Sequence, residues 1–173
     1  NLIREVGDRS YRSVLRLARD RWASQFDKVR IEASEEVRTI FYTALYHSLL
    51  YPRKIDEYGR YYSAFDDAIH NGVMYNCWSM WDTYRAEHPL LTLVAPEHID
   101  DMMQSLVEMF NEGGWLPKWP NPSYTGIMVG SPAETILAEA WTKGFRGFDV
   151  EQAYAAIKKN ASLPQVGDRE NHW

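Results

Sequence analysis

The sequence contains one cysteine, Cys77, among 173 residues. It therefore predicts neither a disulfide nor a cysteine-built zinc site. Its longest apolar runs, such as "LLTLVA", fall far short of the roughly 20 residues that a membrane-spanning helix needs. No basic-then-apolar leader opens the segment, so we expect a soluble chain with no signal peptide of its own and no membrane partner.

The chain also lacks a strong excess of positive charge. Its 19 basic and 24 acidic residues are intermixed and give a net charge of -5, so no basic stripe is available to follow a nucleic acid backbone. The length fits one domain with a substantial core. Aromatic residues are abundant, at 14% of the chain, and many lie in segments that also contain proline and glycine.

Apolar residues that recur at spacings of three and four predict a helical protein. In the first helix, a stripe from Tyr11 to Phe26 is predicted to pack against the rest of the molecule. Ser34, the pair Ser131 and Glu134, and Asp149 are predicted N-terminal caps. The six predicted helices cover about residues 8–27, 35–50, 80–94, 97–112, 132–143 and 150–160. The predicted fold class is all-α, an array of antiparallel helical hairpins.

Two long connections interrupt the helical pattern. Residues 51–78 have alternating aromatic residues on both sides of Gly59, which predicts a small hairpin or an irregular excursion. The segment "GGWLPKWPNPSYTG" has three prolines and two tryptophans in fourteen residues and cannot be helical. Because long loops in a compact domain are often functional, the connection over residues 51–78 is a candidate for covering a site.

The stretch "SMWDTYRAEHPLL", residues 79–91, places Trp81, Asp82 and Arg85 on about one helical turn. One interpretation is a capped helix start with a local ion pair between Asp82 and Arg85. The other is a sugar site, since a pyranose stacks its C–H face on tryptophan and pairs its hydroxyls with a carboxylate and a guanidinium. Pro89 predicts that the helix is kinked or restarts at His88.

The proline-rich loop has two interpretations as well. Trp115, Trp119 and Tyr124 could form a stacking wall for the same sugar, held by a stiff scaffold, or they could close the end of the helical array. Outside this loop, four histidines show no paired metal-ligand spacing and are expected to be hydrogen-bonded or exposed: His47, His70, His88 and His98. The acidic pair Asp66–Asp67 is expected on a solvated face or at the edge of a hairpin.

Five consecutive segments give the chain a resemblance to a known family. They are "FYTALYHSLLYPR", "GRYYSAFDDAIH", "SMWDTYRAEHPLLTLVAPE", "GGWLPKWPNPSYTGIMVG" and "EAWTKGFRGFDVEQAY". In order and approximate spacing they resemble the catalytic domain of glycoside hydrolase family 92, the exo-acting alpha-mannosidases. The resemblance covers nearly the whole chain.

The resemblance implies an enzyme with an N-terminal β-sandwich, an (α/α)6 toroid and an active site between them. It implies calcium dependence, hydrolysis of alpha-linked terminal mannose (alpha-1,2 is the expected linkage) with inversion, and a secreted, periplasmic or cell-surface location. Residues 1–173 would be one fragment, the first half of the toroid, without the sandwich and without the second half. The general acid, the general base and the calcium ligands would lie beyond Trp173, so we assign no catalytic or metal-binding residue here. The fragment alone is expected to be inactive.

The resemblance assigns mannose recognition to Trp81, Asp82 and Arg85, and Trp119 and Tyr124 join them as candidate substrate-binding residues from the loop. The expected partners are a mannose-containing glycan and the remainder of the same enzyme. Two positions depart from the family pattern: Cys77 stands where a polar or acidic residue is expected, and Pro132 where a histidine is usual.

Two other readings of the sequence stay open at this point. The chain could be a non-catalytic helical module that binds carbohydrate or a protein partner through its aromatic loops. It could also come from another (α/α) toroid glycosidase or from a helical polysaccharide lyase, which share the architecture.

Overall fold

A computed structural model describes residues 1–163 of the chain. The structure divides into two compact units, Asn1–His47 and Ser48–Trp173. Three helices belong to the first unit: α1 (Leu2–Glu5), α2 (Tyr11–Phe26) and α3 (Glu35–Ser48), whose last residue crosses the boundary. The second unit contains α4 (Met80–Thr83), α5 (Glu87–Val94), α6 (Ile99–Gly113), α7 (Pro132–Thr142) and α8 (Val150–Ser162).

Between residues 48 and 163, four short strands form two antiparallel ribbons. They are β1 (Arg53–Lys54), β2 (Arg60–Ser63), β3 (Ala68–Asn71) and β4 (Tyr75–Asn76), with β1 paired to β4 and β2 to β3. The chain is therefore predominantly helical, as predicted. No helix among residues 1–163 combines the length and the apolar character needed to cross a membrane.

The first unit is held together by rings on α2 and α3. Trp22 lies 4.6 Å from Tyr46, centroid to centroid, and Phe26 lies 5.9 Å from Tyr42. The predicted apolar stripe of α2 is only partly covered within this unit, because no residue of α2 is buried and Tyr11 is 79% exposed. The expectation of an ordinary packed face therefore fails at its N-terminal end.

The core of the second unit forms around α6. Six of its apolar side chains are buried: Ile99, Met102, Met103, Leu106, Val107 and Met109. The helix contacts β4, α7 and α8, which lets one amphipathic element bury apolar surface of several neighbours. It ends at glycines: Gly114 takes the left-handed conformation with φ 88°, and its backbone amide donates to the Phe110 carbonyl at 2.7 Å.

The connection over residues 51–78 contains the predicted hairpin and a second one. Tyr58 and Gly59 form a tight turn with positive φ, and Glu57 and Arg60 exchange backbone hydrogen bonds across it. The β2–β3 hairpin then turns through residues 64–67. The acidic pair Asp66–Asp67 lies at this turn.

The helix predicted over residues 80–94 is two helices, α4 and α5. The interruption lies at residues 84–86, so the chain restarts at Glu87, one residue before the predicted break. Pro89 is the third residue of α5, where its missing N–H leaves no intrahelical bond unmade.

Of the caps predicted for α7 and α8, only the one on α8 forms. The carboxylate of Asp149 accepts from the Gln152 amide at 2.9 Å and caps α8 as predicted. Ser131 makes no side-chain cap bond to α7, so the predicted capping box with Glu134 is not formed. The Ser131 side chain instead hydrogen-bonds to the Glu134 carboxyl.

Candidate functional site

The turn formed by residues 79–85 lies on a buried base and presents its polar groups outward. Met80 is fully buried, and Trp78, just before the turn, is 1% exposed. On the next two residues the side chains face solvent: Trp81 is 41% exposed and Asp82 is also exposed. The alternation follows from the single helical turn of α4, in which adjacent residues lie on different faces. The buried anchors therefore fix the position of the exposed pair.

The Ser79 side chain donates a hydrogen bond to Asp82, whereas the side chain of an N-cap accepts one from a helix amide. The Ser79 hydroxyl donates to Asp82 Oδ2 at 2.5 Å, and Ser79 makes no side-chain bond to a helix amide. No other donor contacts the Asp82 carboxylate within residues 1–163, so its second oxygen has acceptor capacity for a ligand. The predicted capped helix start is therefore not what the structure shows.

Arg85 pairs with an aromatic ring and not with an acid. Its guanidinium carbon lies 4.4 Å from the centre of the Trp81 ring, and Nη2 donates to the Trp81 carbonyl at 3.4 Å. In the described part of the chain Arg85 forms no ion pair with Asp82, so that prediction is wrong. The cation lies over one face of Trp81 instead, and such contacts are worth about 0.5–1 kcal/mol at exposed sites.

Asn76 and Cys77 connect this turn to the proline-rich loop. Asn76 is 3% exposed and donates from Nδ2 to the Pro122 carbonyl at 2.8 Å, while its Oδ1 accepts from the Cys77 amide. Cys77 has φ 63°, and its Sγ lies 3.6 Å from Asn121 Oδ1. The residues just before α4 are therefore bonded to the tip of the loop. Sequence reasoning missed Asn76, whose burial depends on this long-range contact.

Of the two candidates in the loop, Tyr124 is committed to the backbone. Its hydroxyl donates to the Trp115 carbonyl at 2.6 Å and accepts from the Trp115 amide at 3.0 Å. Its ring lies edge-on to Phe65, with centroids 4.8 Å apart. Any contact of Tyr124 with a ligand would therefore use the half-buried ring.

Trp119 lies closer to the tip of the loop. It is half-buried, and its carbonyl accepts from the Thr125 hydroxyl at 2.8 Å, which closes the loop on itself. The residues between Trp119 and Tyr124 contact Asn76 and Cys77, so both candidates belong to the loop that is bonded to the base of the turn. Their role in substrate binding stays a prediction.

Two titratable residues directly after the turn are buried. Burial raises the pKa of Glu87 to about 7 and lowers the pKa of His88 to about 4. The His88 ring stacks on Trp78 with centroids 5.3 Å apart, and within residues 1–163 neither ring nitrogen has a hydrogen-bond partner. The expectation that each histidine is hydrogen-bonded or exposed is therefore wrong for His88, because packing against Trp78 decides its environment.

One group of three close metal-ligating side chains exists among the described residues: Asp66, His70 and Glu112. Each offers one ligand atom, and the atom from His70 is a nitrogen. Calcium takes six to eight oxygen ligands, so this group does not fit the calcium ion that the family resemblance implies. The described residues therefore give no support for a calcium site at this group.

Comparison with known proteins agrees with the sequence resemblance. The family model described as the glycosyl hydrolase family 92 catalytic domain matches residues 1–172. Comparison with curated proteins finds no match. Two solved structures from Bacteroides thetaiotaomicron superpose closely. The family GH92 inverting mannosidase BT2199 is 36% identical with a TM-score of 0.87, and the family GH92 alpha-mannosidase BT3965 in complex with mannoimidazole is 28% identical with a TM-score of 0.90.

These alignments cover 94% and 95% of this chain but only 23% and 22% of the two solved chains, so this chain spans about a quarter of their length. The chain is mostly helical, and one anchored turn exposes a ring, a carboxylate and a guanidinium. The chain belongs to glycosyl hydrolase family 92.

Proposed function

We propose that this chain is part of an inverting alpha-mannosidase that removes terminal mannose, with alpha-1,2 as the expected linkage, and that it contributes one wall of the mannose site. Two facts support the activity. The chain belongs to glycosyl hydrolase family 92, and one relative with the same fold is an inverting mannosidase while another is in complex with mannoimidazole.

The anchored turn is the observation that carries the proposed role. Trp81 offers an exposed ring face, and Asp82 offers a carboxylate oxygen without a donor in the described chain. A pyranose presents a C–H face to such a ring and vicinal hydroxyls to such a carboxylate. Because Met80 is buried, the backbone that carries both groups is fixed before a sugar binds.

Arg85 has a positioning role in this proposal. Its guanidinium lies over Trp81, so it restricts the ring and leaves its remaining N–H donors for sugar hydroxyls. The loop with Trp119 and Tyr124 would form the neighbouring wall, since it is bonded to Asn76 at the base of the turn.

The reaction itself requires groups that we assign to other parts of a longer protein. Inversion needs two carboxyl groups roughly 6.5–9.5 Å apart, with a water molecule held between one of them and the anomeric carbon. We propose that these carboxyls, the calcium ligands and the rest of the (α/α)6 toroid are supplied outside the described residues, so the 173-residue chain alone is inactive. A secreted, periplasmic or cell-surface location completes this proposal.

The test is kcat/KM for a mannoside in the enzyme that contains this chain, with Asp82→Asn. Asparagine keeps an acceptor oxygen for Ser79 and removes the charge. We expect a loss of about 1.5–3 kcal/mol in transition-state binding, roughly ten- to 150-fold in kcat/KM, with an unchanged melting temperature.

Asp67→Asn is the matched control. Asp67 is likewise exposed, accepts from one hydroxyl (Tyr62, 2.7 Å) and has φ 61°, a conformation that asparagine tolerates. This variant should keep wild-type kinetics. If Asp82→Asn keeps the wild-type kcat/KM and has a lowered melting temperature, the turn has a structural role and does not bind the sugar.

A further inference from the structure

A cluster of three ionisable side chains lies where the β2–β3 hairpin meets the last turn of α6. His70 Nε2 lies 2.9 Å from Asp66 Oδ2 and 3.8 Å from Glu112 Oε1. The three candidate ligand atoms all lie within 4.8 Å of one another. The hairpin turn brings Asp66 and His70 together, whereas Glu112 comes from a helix more than 40 residues later in the sequence.

Two hydrogen bonds fix the position of the Glu112 carboxylate. Its side chain is only 5% exposed, and each oxygen accepts a hydroxyl hydrogen bond: Oε1 from Tyr61 at 2.5 Å and Oε2 from Ser63 at 2.6 Å. A carboxylate oxygen has two lone pairs, so Oε1 can accept from Tyr61 and still bind an ion. Hydrogen bonds of this kind orient the ligands in protein metal sites.

The other two ligands are oriented by their own contacts. The ring of Tyr61 stacks on the His70 imidazole, with centroids 5.6 Å apart and planes 27° apart. Asp66 Oδ1 accepts from the Ala68 amide at 3.2 Å, which leaves Oδ2 toward the imidazole. The three groups therefore converge before any ion binds.

We propose that Asp66, His70 and Glu112 form a binding site for a divalent transition-metal ion of the zinc class. Zinc takes histidine nitrogen and carboxylate oxygen at about 2.0–2.2 Å, and two tetrahedral ligands at that distance lie about 3.4 Å apart. The distances from His70 Nε2 to Asp66 Oδ2, 2.9 Å, and to Glu112 Oε1, 3.8 Å, lie on either side of this value. The two carboxylates match the charge of a divalent ion, and the partly exposed side of His70 and Asp66 leaves the fourth position to water.

The site would join the hairpin to α6 and uses none of the residues assigned to mannose binding. It is independent of the proposed function, and its test needs no mannoside. Because an ion that binds only the folded state shifts the unfolding equilibrium, it should also raise the melting temperature.

The experiment is a titration of the purified protein, free of any histidine tag, with ZnCl2 by calorimetry and by competition against a chromophoric chelator. We expect one zinc ion per chain, and at least tenfold weaker binding in His70→Ala and in Asp66→Asn. The asparagine variant keeps the Oδ1 acceptor for Ala68 and guards against the possibility that the alanine variant fails to fold. Co²⁺ should give the visible absorption bands of a tetrahedral nitrogen and oxygen site.

His98→Ala is the matched control, since His98 is partly exposed and its nearest acid, Glu97, lies 4.0 Å away. It should bind zinc like the wild type. Binding that is unchanged in His70→Ala and Asp66→Asn, no saturable zinc binding at 1:1, or tighter binding of Ca²⁺ than of Zn²⁺ would overturn the proposal and leave the cluster as a hydrogen-bonded contact.

Discussion

The turn at residues 79–85 and the loop at residues 113–130 are both rich in aromatic residues, yet they use them in opposite ways. In the turn, Met80 is buried and Trp81 is exposed. In the loop, Trp115 is only 9% exposed, and the Tyr124 hydroxyl donates to the Trp115 carbonyl. An aromatic residue beside proline and glycine is therefore no sign of a binding surface by itself. The packing of the neighbouring side chains decides which aromatic rings stay exposed and can contact a ligand.

The largest effect expected from this contrast is the loss of stability in Trp115→Ala. Removing a buried tryptophan costs about 3–5 kcal/mol through lost burial and an unfilled cavity. The Trp115 ring also lies 4.4 Å from the Lys159 ammonium, whose Nζ donates to the Gly114 carbonyl, so a cation–π contact is lost as well. Urea denaturation of the purified chain measures the change. A cost below about 1 kcal/mol would show that the loop is not part of the core.

The second test concerns the fit between Gly113 and Tyr124. A Cβ at Gly113 would collide with the Tyr124 hydroxyl and ring. Glycine to alanine inside a helix ordinarily stabilises by roughly 0.5–1 kcal/mol, but here overpacking should reverse the sign and cost about 1–3 kcal/mol. Gly113→Ala combined with Tyr124→Ala should recover part of that cost, since the colliding ring is gone. If Gly113→Ala proves stabilising by itself, the position of Tyr124 is incorrect.

Features that depend on neighbouring residues could be predicted from the sequence. Asp149 and Gly114 were predictable because a cap or a helix stop depends on residues a few positions away. The predicted interruption was placed late, at His88, because proline was the only visible signal, whereas the structure has it at residues 84–86. Asn76 gave no local signal, since its role depends on Pro122, 46 residues later.

The same limit applies to the titratable groups. Sequence spacing showed no metal pattern around His70, because its partners are an acid four residues away and another on α6. The burial of His88 likewise depends on Trp78. At the candidate sugar site Met80 is buried while Trp81 and Asp82 are exposed, because adjacent residues of one helical turn lie on different faces.

The burial of His88, directly after the turn, predicts a loss of stability at acid pH. The pKa of His88 is lowered to about 4 by burial, from about 6.5 when unfolded. The unfolded chain therefore binds the proton first, and stability falls as pH drops from about 6.5 to about 4. His88→Phe keeps a ring against Trp78 and should reduce this acid-side loss, seen as a smaller difference in melting temperature between pH 7 and pH 5. His98→Ala should keep the wild-type difference, and an equal loss in His88→Phe would contradict the assignment.

Glu87 should lower the stability of the protein as pH rises, whereas His88 lowers it as pH falls. Burial raises its pKa to about 7, so above about pH 4.5 the unfolded chain loses a proton that the folded chain retains. The contribution of Glu87 to the free energy of unfolding is fully present below about pH 4.5 and is lost as pH rises through about 7. Glu87→Gln, which cannot ionise, should therefore gain melting temperature relative to the wild type at pH 8 and not at pH 4.5. A gain of the same size at both pH values would indicate a packing effect instead of ionisation.

The smallest expected effect on stability comes from Trp81→Ala, the same substitution as in the loop but on the exposed side of the turn. Because Trp81 is 41% exposed and its ring contacts the Arg85 guanidinium, the free energy of unfolding should fall by only about 0.5–1 kcal/mol. In the enzyme that contains this chain, loss of the stacking face should lower kcat/KM for a mannoside by about two- to tenfold, from roughly 0.5–1.5 kcal/mol of ring contact. Trp81→Phe keeps an aromatic face and should recover much of the rate, which a merely structural role would not require. A Trp81→Ala variant that loses several kcal/mol of stability while its kinetics stay normal would erase the contrast between the turn and the loop.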